Sequence, residues 1–289
     1  MGSEQPAINV TKSTGAVVPF SAEKVRKSLK KAGATSAITE EIIQELYKQI
    51  YPDMPTKKIY NIAFQLLKNT AHPAAARYKL KQAIFELGPS GFPFEQFIAA
   101  LFQHANFTVA TNQLINGHCV KHEVDVTAFK SNRLHMIECK YHQQAGTHCD
   151  VKVPLYIDAR FKDIRKKWEA SGDKKTEGYQ PWLVTNTRFT TDALQYGQCT
   201  GLHLLSWDFP FGKGLKDIID NAGLYPITCL TTLSRNEKYR LLEKGIVLCQ
   251  TLAEQPEKLK IADVPLQRRA IAIQEVENLC RHIVKLEWA

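Results

Sequence analysis

Val120–Tyr141 reads VKHEVDVTAFKSNRLHMIECKY, and this stretch decides the fold. Apolar residues alternate with others from Val120 to Phe129 and again from Leu134 to Tyr141, the period of a β-strand. Lys130-Ser131-Asn132-Arg133 is a turn, so the two segments form an antiparallel hairpin. Glu138 and Lys140 then share one face, Ile137 and Cys139 the other, and Asp125 comes near Glu138. Two carboxylates in a largely apolar sheet repel each other and lose hydration. A cation between them removes both penalties. Mg²⁺, or Mn²⁺ in its place, suits such a pair. It is a hard ion that accepts one or two carboxylates and fills its shell with water and phosphate. A lysine beside them positions an attacking water whose pKa the metal lowers. Asp125, Glu138 and Lys140 are therefore candidate catalytic residues, with Asp125 and Glu138 as metal ligands.

Working outward, Pro93 to Ala105 has Phe94, Phe97, Ile98, Leu101 and Phe102 on one helical face. Glu95, in its first turn at the edge of that stripe, is a third candidate acid. The helix dipole alone also favours a glutamate there. Phe107–Thr111 reads as a strand, Leu155–Ala170 as a helix, and Pro181–Asn186 as a strand. Thr190–Cys199 follows as a helix and Leu202–Trp207 as a last strand. The alternation predicts an α/β sheet covered by helices. Gly88-Pro89-Ser90-Gly91 is a breaker cluster that sets its upstream limit.

Before that limit, Ile8–Lys12 and Ala16–Phe20 flank a turn at Ser13-Thr14-Gly15 and predict a β-hairpin. Ser21 caps a helix ended by Gly33, and apolar spacing predicts helices over Thr39–Ile50, Thr56–Asn69 and Ala74–Leu87. The stretch is a hairpin plus a small helical bundle. Lysines with a helix N-terminus can hold phosphate, and a solvated basic surface would look the same. After about Gly214 the chain reads as helical. Ser234 and Glu237 have capping-box spacing. A helix, then Lys244-Gly245-Ile246, then another helix is similar to a helix-hairpin-helix, whose glycine lets backbone N–H groups meet a phosphate. It also fits an ordinary αα-hairpin with a glycine cap. The expected class is multidomain α+β and α/β, divided at 1–88, 89–212 and 213–289.

The chain has 289 residues with a formal net charge of +9, which suits a polyanionic partner. At 44% hydrophobic residues it can bury a core. Its seven scattered cysteines form no CxxC pair, which argues against a zinc site or disulfide framework. No apolar run reaches the roughly 18–20 residues that span a bilayer, and no signal pattern opens the chain, so a soluble, cytoplasmic protein is expected.

Three segments carry a resemblance: Gly91-Phe92-Pro93-Phe94-Glu95, His122-Glu123-Val124-Asp125-Val126 and Ile137-Glu138-Cys139-Lys140. With Val184-Thr185-Asn186 and Gly201-Leu202 they resemble the Mrr-like branch of the restriction-endonuclease superfamily, which has the PD-(D/E)xK site. The resemblance implies a mixed sheet, a divalent metal at Asp125 and Glu138, hydrolysis of DNA phosphodiesters and a restriction or defence role. Val10-Thr11-Lys12-Ser13-Thr14-Gly15 and Pro19-Phe20-Ser21-Ala22-Glu23-Lys24-Val25, with Pro55-Thr56-Lys57, resemble the ATP-cone domain, a regulatory nucleotide-binding module. It implies ATP or dATP as ligand, with Lys12 and Lys24 on the phosphates and Thr56 and Tyr60 on the base or ribose. Ser13 stands where that family usually has Arg. Together they imply a nucleotide-regulated, metal-dependent endodeoxyribonuclease that assembles as a homo-oligomer. The alternative is a nucleotide-responsive DNA-binding module with an inactive nuclease core.

Overall fold

The computed structural model describes residues 8–12, 14–171 and 178–281. Ser13, and with it part of the first turn, lies outside them. The described residues form a mixed α/β molecule with twelve α-helices and three sheets.

Strands β1 (Asn9–Thr11) and β2 (Val17–Pro19) form the expected antiparallel hairpin. The two-residue β3 (Met54–Pro55), too short to show in the sequence, adds to β1 in parallel. Helix α1 (Ala22–Lys31) starts at Ser21, whose hydroxyl accepts the N–H of Lys24. Helix α2 (Ser36–Gln49) begins three residues before Thr39, because Thr35 is its cap. Helix α3 (Thr56–Thr70) follows. The single helix expected over Ala74–Leu87 is divided at Lys79 into α4 (His72–Tyr78) and α5 (Leu80–Phe85). Leu29, Ile42, Ile43, Leu46, Met54 and Leu67 make this bundle's own core.

Helix α6 (Phe92–His104) leads into β4 (Thr108–Asn116), β5 (Lys121–Lys130) and β6 (Arg133–Lys140). Strand β4 is longer than the spacing predicts. Its second half runs along a sheet edge, where Leu114 is exposed and apolar alternation is not needed. Then come β7 (His148–Cys149), α7 (Lys152–Ser171), β8 (Tyr179–Thr185), β9 (Arg188–Phe189), α8 (Thr191–Thr200) and β10 (His203–Leu205). The five-stranded sheet runs β10-β8-β6-β5-β4; β10, β8 and β6 are parallel and the other pairs antiparallel. Val126, Ala128, Ile137 and Cys139 pack towards α6, where Phe94, Phe97 and Phe102 are fully buried. Each such side chain contributes roughly 1.5–3 kcal/mol. Val124, Met136 and Leu183 pack on the opposite face with Ile157, Phe161 and Ile164 of α7.

The C-terminal part holds α9 (Leu215–Ala222), α10 (Arg235–Glu243), α11 (Cys249–Glu254) and α12 (Leu266–Cys280). The Ser234–Glu237 capping box forms as the spacing predicts. Gly245, at φ +70°, ends α10: its N–H donates to Leu242 O and that of Ile246 to Leu241 O. This is a Schellman cap, and it uses the two N–H groups that a phosphate-binding hairpin would present. The C-terminal helices share one continuous buried cluster with α5, α6 and the sheet. No helix among the described residues is long and apolar enough to cross a membrane.

Candidate functional site

The site grows from a defect in the β5–β6 ladder. Pairing runs from Lys130↔Arg133 to Val126↔Ile137. The ladder stops there, and Asp125 Oδ2 accepts the backbone N–H of Cys139 at 2.7 Å. On the other side of β5 the ladder with β4 skips Asp125, opposite Asn112, whose φ is +52°. The alternation breaks here too, since Val124 and Val126 pack on different faces of the sheet. Asp125 is thus held in a local irregularity that strict period-two reading does not contain.

Glu138 is mostly buried. Arg160 Nη1 of α7 donates to its Oε1 at 2.7 Å, and Arg160 Nη2 donates to the carbonyl of Glu123. Glu138 Oε2 is buried with no hydrogen-bond partner among the described residues. Burial, then the charge of Asp125, raises the Glu138 carboxyl to about 7, against the pull of Arg160. Glu95, half-buried in the first turn of α6, is also raised to about 7, by burial first and then by Asp125 and Glu123. A Cβ at Gly91 would lie 3.1 Å from Glu95 Oε1 and 3.9 Å from Tyr141 Cβ, which places this carboxylate beside the end of β6. Burial raises Asp125 as well, opposed by the Cys139 N–H and Arg160. The structure therefore brings Glu95, Asp125 and Glu138 close enough to feel one another's charge.

Lys140 lies apart from that exchange. It is exposed at the end of β6, paired with Thr185, and its charge is felt by His142 and Cys149. Sequence reasoning missed Arg160. It lies three residues from Ile157 and four from Ile164 on the inner stripe of α7, and a cation in that place was the available signal. Also missed was the buried Asn186, which accepts the N–H of His142 and donates to its carbonyl, both at 2.8 Å, fixing the chain after β6. His142 Nε2 is buried without a partner among the described residues.

Among the described residues, no three His, Cys, Asp or Glu side chains are grouped closely enough to hold a metal ion unaided. The donor set nevertheless fits Mg²⁺ or Mn²⁺, which need only one or two carboxylates. Among the described residues Glu138 Oε2 lacks a partner, and Arg160 is the one cation paired with the three acids held near one another.

A second group gathers in the N-terminal bundle. Lys12, Lys24, Thr56 and Tyr60 all line one pocket of about 200 Å³ between the hairpin, α1 and α3, with Phe20, Ser21 and Tyr78. Tyr60 stacks on Tyr78 at 5.0 Å between ring centroids, and burial raises both phenols, that of Tyr78 to about 12.

Residues 8–81 match the model of the ATP cone domain, so this pocket lies in a recognised nucleotide-binding module. Residues 225–280 match the model described as AF1548-like, C-terminal. An uncharacterized protein of Archaeoglobus fulgidus is 32% identical over 173 residues, which cover 60% of this chain and 92% of that protein. The chain belongs to the family of this archaeal protein. A solved structure, that of the protein of unknown function AF1548, shares 29% identity and a TM-score of 0.55, covering 66% of this chain and 99% of that one. The AF1548-like match spans α10, α11 and α12, and the ATP cone spans β1 to the start of α5; α6 and the sheet, with the three acids, lie between them.

Proposed function

We propose that this chain is a divalent-metal-dependent DNA endonuclease whose activity or assembly is set by ATP or dATP in the N-terminal domain. The observation that supports it most is the trio of Glu95, Asp125 and Glu138, with a buried Glu138 oxygen lacking a partner. Asp125 and Glu138 would hold Mg²⁺ or Mn²⁺, which would supply an activated water and offset charge on the phosphodiester. Asp125 is oriented for this by the Cys139 N–H, and Glu138 by Arg160. Lys140, exposed at the strand end, would meet the scissile phosphate as it arrives. Glu95, raised to about 7, can hold or release a proton near neutral pH beside the other two acids. The net charge of +9 favours a polyanionic substrate.

The Arg160–Glu138 ion pair favours a second reading. An arginine already neutralising Glu138 suits a nucleotide-responsive DNA-binding module with an inactive core. One experiment separates the two. Plasmid and linear DNA are incubated with the protein in Mg²⁺, Mn²⁺ or chelator, with and without ATP or dATP. Metal-dependent cleavage lost in Asp125→Ala and Glu138→Ala supports the nuclease. Binding without cleavage supports the module, and cleavage that survives chelator or both substitutions sinks the site. For the N-terminal pocket, ATP titrated calorimetrically should release heat with wild type and less with Lys24→Ala. Equal heats would remove Lys24 from the site.

A further inference from the structure

Where α5, the end of β6 and α10 meet, the fold encloses a cavity of about 720 Å³. It shares no lining residue with the N-terminal pocket. Two lysines line it, and both are buried: Lys79 is 8% exposed and Lys238 7%. Both ammonium groups donate to the same carbonyl, Thr228 O, at 3.1 and 3.2 Å, and Lys79 also donates to Glu86 Oε2 at 2.6 Å. They come from residues 159 positions apart, brought together because the short turn Ile227–Cys229, just before α10, packs on α5.

The charges do not balance. Among the described residues Glu86 is the only carboxylate lining the cavity, against Lys79, Lys238 and, at its exposed rim, Arg235. Arg235 is solvated at the rim, so the two buried lysines against Glu86 leave one buried positive charge uncompensated. Buried like charges persist only where something of opposite sign accompanies them. Burial, then the neighbouring Lys79, holds the Lys238 ammonium down at about 8, which reports the same imbalance. A phosphate monoester carries close to two negative charges near neutral pH and offers three strong acceptor oxygens. Asn236 and the exposed ring of Tyr239 stand at the rim, where the rest of a nucleotide or a nucleic-acid strand would lie.

We infer that this cavity is a phosphate-binding site, in which Lys238 and Lys79 hold a phosphate group of a nucleotide or a nucleic-acid strand and Arg235 meets it at the rim. The site is separate from the ATP-cone pocket, and it stands whether or not the chain cuts DNA.

The test uses the full chain carrying Lys24→Ala, so that the N-terminal pocket contributes less to the signal. Pyrophosphate, ATP and a 5′-phosphorylated oligonucleotide are titrated calorimetrically into this protein and into the same protein with Lys238→Met. The substitution should weaken binding by about tenfold or more. The melting temperature without ligand should hold or rise, because an uncompensated buried charge is gone. Tight binding of pyrophosphate or ATP assigns the site to free nucleotides; binding of the oligonucleotide alone assigns it to a strand. Equal affinities in the two proteins, or no heat with any probe, overturn the inference. So does a lower melting temperature with unchanged affinity, which would make Lys238 a structural strut. If Lys238→Met does not fold, the exposed Arg235→Ala takes its place, and unchanged affinity there overturns the inference equally. Asp125→Ala should leave this binding intact, which separates its failure from that of the nuclease reading.

Discussion

Two buried groups of like charge flank the end of β6, and they are opposite in sign. Between α6 and the sheet, Glu95, Asp125 and Glu138 crowd with one arginine among them; in the cavity behind Tyr141, Lys79 and Lys238 crowd with one glutamate. On our proposals the first group takes a cation and the second an anion. Tyr141 lies between them: its hydroxyl donates to Phe85 O at 2.6 Å, and its ring packs on Gly88, where a Cβ would come within 2.8 Å. The difference between the groups is one of origin. Two of the acids come from a single hairpin, whereas the lysines lie 159 positions apart in the chain.

The largest effect expected is on the acid side. Asp125→Ala should lower metal-dependent DNA cleavage by about 10²–10³-fold, the scale seen when one preorganised electrostatic group is removed from a site. Retained cleavage in a gel assay would break the comparison, since the acids would then be a structural oddity. Arg160→Ala sharpens it. Removing one partner of a buried ion pair costs about 3–5 kcal/mol, so the metal-free protein should melt several degrees lower. Glu138 would then be free of its arginine, so Mg²⁺ or Mn²⁺ should raise the melting temperature more in this variant than in wild type. A smaller rise would mean that Arg160 supports the cation site instead of competing with it.

The same difference explains what the sequence made legible. The hairpin and its turn follow from period-two alternation over adjacent segments, and the structure has them where the spacing predicts, whereas regular pairing stops short of Asp125 and Glu138. Helix limits fell within a few residues, because caps such as Ser21, Thr190 and Ser234 act locally. Lys12, Lys24, Thr56 and Tyr60 came from the order of motif residues, and they line one pocket. What stayed hidden depends on contacts between distant segments. The register skip at Asp125 needs Asn112, and the tether on Glu138 needs a helix 22 residues away. The inward turn of Lys238 could have been suspected from its place three and four residues before Leu241 and Leu242. Only the packing of the short turn Ile227–Cys229 against α5, which puts the Thr228 carbonyl between the two lysines, shows that Lys79 meets it.

The smallest effect is the one that reads both groups at once. Glu95 and Glu138 are raised from 4.5 to about 7 in the folded chain. Between those values the folded state binds more protons than the unfolded one, so stability falls as pH rises through the window. Lys238 is lowered from 10.5 to about 8. Between 8 and 10.5 the unfolded state binds more protons, so stability rises with pH. Without ligands, the contributions of the two groups should sum to a minimum in melting temperature near pH 7–8, a few degrees deep. Each limb has its own owner. Glu138→Gln should flatten the descent below pH 7 and Lys238→Met the ascent above pH 8, each measured as the difference from wild type by scanning calorimetry. Mg²⁺ should fill the dip from the acid side and pyrophosphate from the lysine side, and chelator should restore only the first. If Lys238→Met altered the descent below pH 7, or Glu138→Gln the ascent above pH 8, the two groups would titrate as one coupled network through Tyr141, and the separation drawn between them would fail.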